Sequence, residues 1–270
     1  MSWFEILLLS FIEGLTEFLP VSSTGHLILV SKLFHFTSSP EFTTQFNIII
    51  QFGAILSVVI LYSNKFFPKE GIELTDTINF YLKIITGMIP AAIIGLLIKD
   101  KIDLLLDSTL TVSIALIIGG FILLELDRKN HSGPKLHEKS LSEMTFKDSF
   151  YIGLFQCFAF IPGVSRSAAS IFGARLLKFN FKTATEFSFF LAVPTITGAA
   201  LIKTIKIIPS INSDQVLTLI GGIVLSFIFA SIAIKTFIHL LSKGRVFKWF
   251  GIYRIALGLI SLYFIMKTQT

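Results

Sequence analysis

Long apolar stretches separated by short polar ones run through almost the whole chain. Six of them, about 45–62, 78–98, 109–126, 186–206, 215–238 and 250–266, are long enough for a helix to cross ~30 Å of hydrocarbon. Four shorter apolar arms come in two pairs. The first pair, 3–19 and 21–34, is broken at Leu19-Pro20-Val21-Ser22-Ser23, and the second, 149–161 and 165–177, at Ile161-Pro162-Gly163-Val164-Ser165. Each arm is too short or too polar to cross alone, and a proline at the break argues against one continuous helix. The pattern therefore predicts two re-entrant helical hairpins. Such backbone is tolerated at membrane depth only when it is buried in protein or lines a watery cavity.

The order is hairpin, three spans, hairpin, three spans, with corresponding elements roughly 140 residues apart. The expected fold is an all-α polytopic membrane protein: six transmembrane helices plus two re-entrant hairpins in an inverted-topology repeat. A first repeat would occupy 1–126 (hairpin 3–34), a cytoplasmic loop 127–148, and a second repeat 149–270 (hairpin 149–177), all in one membrane domain. Val21-Ser22-Ser23-Thr24 matches Val164-Ser165-Arg166-Ser167, and Gly14-Leu15-Thr16-Glu17 resembles Gly153-Leu154-Phe155-Gln156. Three spans per half is an odd number, so the second half must enter from the opposite face. The two polar hairpin tips would then meet near mid-membrane, where such repeats build binding sites.

Composition agrees with the pattern. The 270 residues are 53% hydrophobic and 15% charged, with mean hydropathy +0.78. A soluble domain could not cover that much apolar surface with so few charges. The net charge of +6 lies in short loops rather than in an aromatic-interleaved patch, which excludes a nucleic-acid partner. Lys65, Lys69, Arg128, Lys129, Lys135, Lys139, Lys147, Lys178, Lys182, Lys243, Arg245 and Lys248 share one side. About half as many, Lys32, Lys99, Lys101, Lys203, Lys206 and Lys267, lie on the other. The positive-inside rule puts the first side in the cytoplasm and the first hairpin's entry outside. The connection 127–148 reads as mobile. Cys157 is alone, which excludes an intramolecular disulfide, and it reads as a packing residue. The acidic N-terminus, with Glu5, Glu13 and Glu17, is no signal peptide. Gly53, Gly87, Gly95, Gly119, Gly120, Gly198, Gly221 and Gly222 read as sites of close helix packing.

Candidate chemistry gathers at the hairpins. Glu13 and Glu17 lie four residues apart on one helical face, and carboxylates at membrane depth cost several kcal/mol unless paired, protonated or hydrated. Either they meet water at a shallow arm, or they hold a divalent cation such as Mg²⁺ or Ca²⁺, or one is a general base. Ser22, Ser23 and Thr24 can be a plain N-cap, and the same helix start favours an anion. His26 follows Ser23 by three residues and can act on a hydroxyl, a water or a leaving group. In the second hairpin, Gly163, Ser165, Arg166 and Ser167 repeat this chemistry. The Arg166 fork suits phosphate oxygens, and its bland alternative is an ion pair with Glu13 or Glu17. Gln156, matching Glu17, can add a neutral hydrogen bond. Glu5 reads as interfacial, Arg175 as snorkelling, and Asn47, Gln51 and Glu186 as buried polar residues of lower rank.

The run from Glu13 through Pro20-Val21-Ser22-Ser23-Thr24-Gly25-His26, with Pro162-Gly163-Val164-Ser165-Arg166-Ser167, resembles the undecaprenyl-diphosphate phosphatase family of the bacitracin-resistance type. The resemblance extends over the whole chain in length and span order. It implies a bacterial inner-membrane hydrolase that converts undecaprenyl diphosphate to the monophosphate and inorganic phosphate, recycling the lipid carrier for peptidoglycan. It also implies bacitracin resistance, because bacitracin competes for the same diphosphate. The family's acidic motif falls on Glu13 and Glu17, its Ser/Thr/His cluster on Ser22, Ser23, Thr24 and His26, and its phosphate-binding motif on Ser165, Arg166 and Ser167. Ala168 stands where the family often has glycine.

Together these readings assign Glu17, Ser23, His26 and Arg166 to catalysis, with Glu13 and Glu17 holding the cation. Ser22, Thr24, Gln156, Gly163, Ser165, Arg166 and Ser167 would bind a long-chain prenyl diphosphate. Attack by Ser23 or directly by water, and a monomer or a homodimer, stay open. A transporter or flippase of prenyl phosphate lipids is the rival class, since broken helices in inverted repeats serve transport equally well. A phosphatidic-acid-type phosphatase is weaker, for want of its motif.

Overall fold

The computed structural model describes residues 1–34, 36–67, 73–98, 108–132 and 138–269. Lys69, Lys99, Lys101 and Lys135, counted above for orientation, lie outside the described residues, as do the side chains of Lys203 and Lys206. Helices make up nearly all of it. They are α1 (Trp3–Thr16), α2 (Ser23–Leu33), α3 (Pro40–Ile49), α4 (Gln51–Leu61), α5 (Ser63–Phe66), α6 (Leu74–Leu97) and α7 (Thr109–Ser132). After a short 3₁₀ turn at Leu141–Glu143 come α8 (Phe146–Gln156), a second 3₁₀ segment at Cys157–Phe160, α9 (Arg166–Leu176), α10 (Phe181–Ile207), α11 (Ser213–Lys243) and α12 (Val246–Gln269). The described residues contain no strand, only an isolated bridge between Lys139 and Phe179.

Among the described residues, six stretches are long and apolar enough to cross a membrane: Pro40–Leu61, Leu74–Leu97, Thr109–Lys129, Phe181–Ile202, Gln215–Lys243 and Val246–Lys267. Each overlaps one expected span. The first contains both α3 and α4, because the ladder slackens at Ile50, whose carbonyl accepts from Gly53 at 3.0 Å and from Ala54 at 3.5 Å. The helix starts follow local capping chemistry. Ser39 caps α3 ahead of Pro40, and Asn180 and Asn212 cap α10 and α11.

α10 is the centre of the packing, touching α4, α6 and α9, and Phe187, Phe189, Phe190, Leu191 and Ala192 on it are buried. α11 lies along α1 and α4, α6 along α8, and α7 along α12. Small residues set these approaches. A Cβ on Gly153 would come within 2.0 Å of the Gly87 carbonyl oxygen, and one on Gly120 within 2.7 Å of the Gly251 oxygen. Two of the expected packing glycines do no such thing. Gly198 has nothing within 4 Å of a Cβ, and Gly221 meets only Trp3, at 3.9 Å. Gly198 thus faces open space, and Gly221 makes only ordinary contact with the Trp3 ring of α1.

The connection expected to be mobile is anchored over its described part. Lys139 N–H donates to the Lys178 carbonyl and Asn180 N–H to the Lys139 carbonyl, while Ser140/Glu143 and Thr145/Asp148 form successive capping boxes. α7 also continues to Ser132, so the loop starts later than expected. Arg175 does not snorkel. Its guanidinium donates to Glu138 and to the Phe179 carbonyl, both at 2.6 Å, and stacks over Phe181 at 4.1 Å. An acceptor and an aromatic face at hand hold it in place. Glu5, at the start of α1, is buried in protein, where Ser2 N–H and Thr37 N–H and Oγ1 all donate to it.

Candidate active site

The two short-helix pairs meet at their turns. α1 ends at Thr16 and α2 starts only at Ser23; α8 ends at Gln156 and α9 starts at Arg166. Each later helix is capped in the same unusual way. Ser22 has φ 74° and accepts the Gly25 N–H at 3.2 Å; Ser165 has φ 72° and accepts the Ala168 N–H at 3.3 Å. Positive φ is unfavourable for serine, by on the order of 1 kcal/mol. It persists here because the packed turns and the cap bonds determine it. The result is two helix N-termini, each with free first-turn N–H groups, beside one cavity.

That cavity has a volume of about 300 Å³. Glu17, Ser22, Ser23 and Thr24 line it from the first turn, and Pro162, Gly163, Ser165 and Arg166 from the second. Gln51 on α4, Gln156 on α8 and Thr195 on α10 add polar walls, and Gln156 Nε2 donates to Thr195 Oγ1 at 3.4 Å. Pro90 and Pro194, inside α6 and α10, each immediately precede a lining residue, Ala91 and Thr195.

Glu17 is the junction of the two turns. Its Oε2 accepts from Ser23 Oγ at 2.5 Å, and its Oε1 accepts from Arg166 Nη2 at 2.9 Å. The ion pair is almost fully buried, with side chains 12% and 9% exposed. Arg166 Nη1 donates to the Ser188 carbonyl at 3.0 Å, and its guanidinium faces the Phe18 ring at 5.5 Å. Ser167 Oγ donates to the Leu19 carbonyl at 2.8 Å, a second bond from one turn to the other. The pairing of Arg166 with a carboxylate, set against phosphate recognition in the sequence, is present in the structure. It does not exclude phosphate, because Arg166 lines the cavity while it holds Glu17.

Glu13 stands behind Glu17 rather than in the cavity wall. It is fully buried, one helical turn away. Neither of its carboxyl oxygens has a hydrogen-bond donor among the described residues. His26 is also not brought to the cavity. Its Nδ1 is 2.7 Å from the Ser22 carbonyl oxygen and its Nε2 is 2.6 Å from the Tyr253 hydroxyl, with the two rings stacked 5.6 Å apart. Both ring nitrogens are engaged, and neither faces Ser23. Of the lower-ranked polar residues, Gln51 reaches the cavity and Glu186 is half-buried near Lys65 and Lys182 instead. Asn47 Oδ1 is buried with no donor among the described residues.

Residues 6–260 match the family model described as bacitracin resistance protein BacA. The chain belongs to that family. It is 47% identical to the undecaprenyl-diphosphatase of Flavobacterium psychrophilum, over 97% of this chain and 95% of that one. It is 48% identical to the same-named protein of Flavobacterium johnsoniae (97% and 96% covered) and 41% identical to undecaprenyl-diphosphatase 1 of Clostridioides difficile (97% and 96%).

In this BacA-family chain the residue that sequence reading passes over is Arg254. Its side chain is 0% exposed, and its guanidinium donates to carbonyls of both turns and of α7. Nη1 reaches Pro20 at 3.1 Å and Val164 at 3.0 Å; Nη2 reaches Gly163 at 2.8 Å and Ala115 at 3.1 Å. Nε reaches Leu116 at 3.4 Å. No carboxylate pairs with it among the described residues. Gly119 makes the space, since a Cβ there would lie 2.1 Å from Nη2. The available signal was a charged residue inside an apolar span, which is a functional hypothesis by default.

Proposed function

We propose that this chain hydrolyses undecaprenyl diphosphate to undecaprenyl phosphate and inorganic phosphate, as the names of its relatives state for those proteins. The observation that carries the reading is the Ser23–Glu17–Arg166 chain of hydrogen bonds in the wall of the cavity. A hydroxyl already donating to a carboxylate is a nucleophile beside its base. A guanidinium and two helix N-termini supply donors where charge develops on a transferring phosphoryl group. Ser23 Oγ would attack the terminal phosphorus while its proton passes to Glu17. The bond from that phosphorus to the bridging oxygen breaks, and undecaprenyl phosphate leaves with the bond's electron pair. Water then cleaves the phosphoserine. Direct attack by water held on Glu17 uses the same groups. His26, bonded to Ser22 and Tyr253, would support the first turn.

A divalent cation fits the acidic pair. Glu13 presents two buried, donor-free oxygens beside Glu17, hard ligands of the kind Mg²⁺ and Ca²⁺ take. No cluster of three or more such ligands exists among the described residues, and only Glu17 of the pair faces the cavity, so a cation touching the diphosphate would sit on Glu17 with Glu13 behind it. When bound, the ion would neutralise charge on the diphosphate.

We also infer that α1–α2 and α8–α9 are re-entrant hairpins of an inverted repeat. The matched Ser22 and Ser165 caps support it, as do the packing partners, which exchange between halves. α1 against α11 mirrors α8 against α6, and α4 against α11 mirrors α10 against α6. With the basic loops in the cytoplasm, the cavity of this inner-membrane protein would open to the extracytoplasmic side.

The test is phosphate release from undecaprenyl diphosphate by purified protein in detergent. We expect Glu17→Gln, Ser23→Ala and Arg166→Ala each to lower kcat by about 10²–10⁴-fold, and a chelator to abolish release reversibly. Folded wild-type protein that binds the lipid but releases no phosphate would overturn the reading in favour of transport.

A further inference from the structure

A lipid diphosphate needs a dry compartment joined to its polar one, and the second turn has such a compartment on its far side. An apolar groove of about 540 Å³ runs between α7 and the α8–α9 pair. That volume lies in the range of ligand pockets, roughly 300–1,000 Å³. Ile114, Ile118 and Ile122 form one wall, and Phe158, Val164 and Phe172 the other. Thr111 supplies its one hydroxyl side chain.

The segment 158–166 is the partition between the two spaces. Ala159, Phe160, Pro162, Gly163, Ser165 and Arg166 line the polar cavity, while Phe158, Ile161 and Val164 line the groove. Neighbouring residues of one chain segment thus face opposite compartments, so a head group at Ser165 and Arg166 lies about one chain thickness from the groove. Phe158 and Ile161, 57% and 41% exposed, form the outer edge over which a chain would cross. Gly163, at φ 95° with Val112 and Ala115 against it, seats the turn on α7, so the same helix backs the turn and walls the groove.

We propose that this groove is the subsite for the prenyl chain of the substrate, with the first isoprene units crossing at Ile161 and the following ones lying along Ile118 and Ile122. This rests on the phosphatase reading. The occupant is the prenyl chain rather than a bulk acyl chain because of this adjacency: one chain segment walls both spaces, so a tail bonded to a phosphate in the cavity has only that segment to cross.

Two measurements on the full-length protein test it. In the first, Ile118→Trp together with Ile122→Trp narrows the groove beyond the reach of geranyl diphosphate. KM for undecaprenyl diphosphate should rise about tenfold or more, with kcat and the geranyl diphosphate parameters unchanged. In the second, wild-type protein is irradiated with an undecaprenyl diphosphate analogue carrying a diazirine in its chain. Labelled peptides should map to α7 and to 158–172. Labelling confined to α6 and α10, where Ala91 and Ile196 also border the cavity, or competed equally by phospholipid, overturns the proposal. So does a KM rise that is the same for both substrates. If the double variant does not fold, the labelling decides alone. If wild type hydrolyses neither diphosphate, the phosphatase reading fails, and the labelling still reports whether the groove holds a prenyl chain.

Discussion

Arg254 is the residue on which the two turns depend together. Its guanidinium reaches four carbonyls at 3.1 Å or less and a fifth at 3.4 Å, from three segments distant in sequence. Arg254→Met would strand those carbonyls, and each buried acceptor left without a donor costs on the order of 1–3 kcal/mol. We expect thermal unfolding in detergent to shift strongly down and phosphate release to fall by at least 100-fold in the protein that still folds. Arg254→Lys should not rescue either, because an ammonium cannot bridge both turns. His26→Ala should behave otherwise, losing less than tenfold in kcat, since no ring nitrogen faces Ser23. The residue types for phosphate chemistry were legible in the chain, because carboxylates, hydroxyls and a guanidinium are conspicuous in apolar arms. Which of them converge was not. Four-residue spacing puts Glu13 and Glu17 on one helical face, yet only Glu17 reaches the cavity. Three-residue spacing allowed His26 to face Ser23, yet Tyr253, 227 residues away, takes the imidazole.

At the scale of elements, caps and close approaches decide where helices begin and how near they lie. Thr145 and Asp148 start α8, with the Asp148 carboxyl accepting from Thr145 N–H at 3.0 Å and Oγ1 at 2.7 Å. Burial opposes ionisation of Asp148, but the bonds from Thr145 and the charge of Lys139 outweigh it and hold its pKa below the usual carboxylate value. A carboxyl depressed on folding contributes stability above its unfolded pKa and loses it as pH falls through the lower, folded one. Asp148→Asn should therefore cost on the order of 1 kcal/mol at neutral pH. The gap from wild type should close once pH is below the folded pKa, as read by thermal unfolding across an acid series. Glycines provide a paired test. Gly153→Ala must push α8 off α6, where the Gly87 oxygen stands 2.0 Å from the new Cβ, and should lower the melting temperature by several degrees. Gly198→Ala meets nothing and should be neutral or stabilising by up to about 1 kcal/mol. Sequence placed Gly198 among the packing glycines and left Gly153 out, because periodicity does not say which helix face finds a partner.

For the whole molecule, the orientation proposed from the basic loops has a direct test. With Cys157 replaced by alanine, a single cysteine at Ser142 or at Glu41, both exposed, reports opposite faces. A membrane-impermeant thiol reagent should label Glu41→Cys in intact spheroplasts and Ser142→Cys only after permeabilisation; the reverse pattern would invert the topology. The chain by itself determined the membrane environment, the six spans and the two breaks. Those follow from local quantities: the length of apolar runs, proline at a turn, and the cost of an unbonded backbone in hydrocarbon. It also displayed the motif by which the family is recognised. Tertiary structure alone decided that Glu17 joins Ser23 to Arg166 across 149 residues, that Glu13 stays behind it, and that Arg254 ties the turns. It likewise decided that a dry groove adjoins the polar cavity. The physical reason is that burial and hydrogen-bond partners belong to surfaces brought together from both halves of the chain, and no window of sequence contains both.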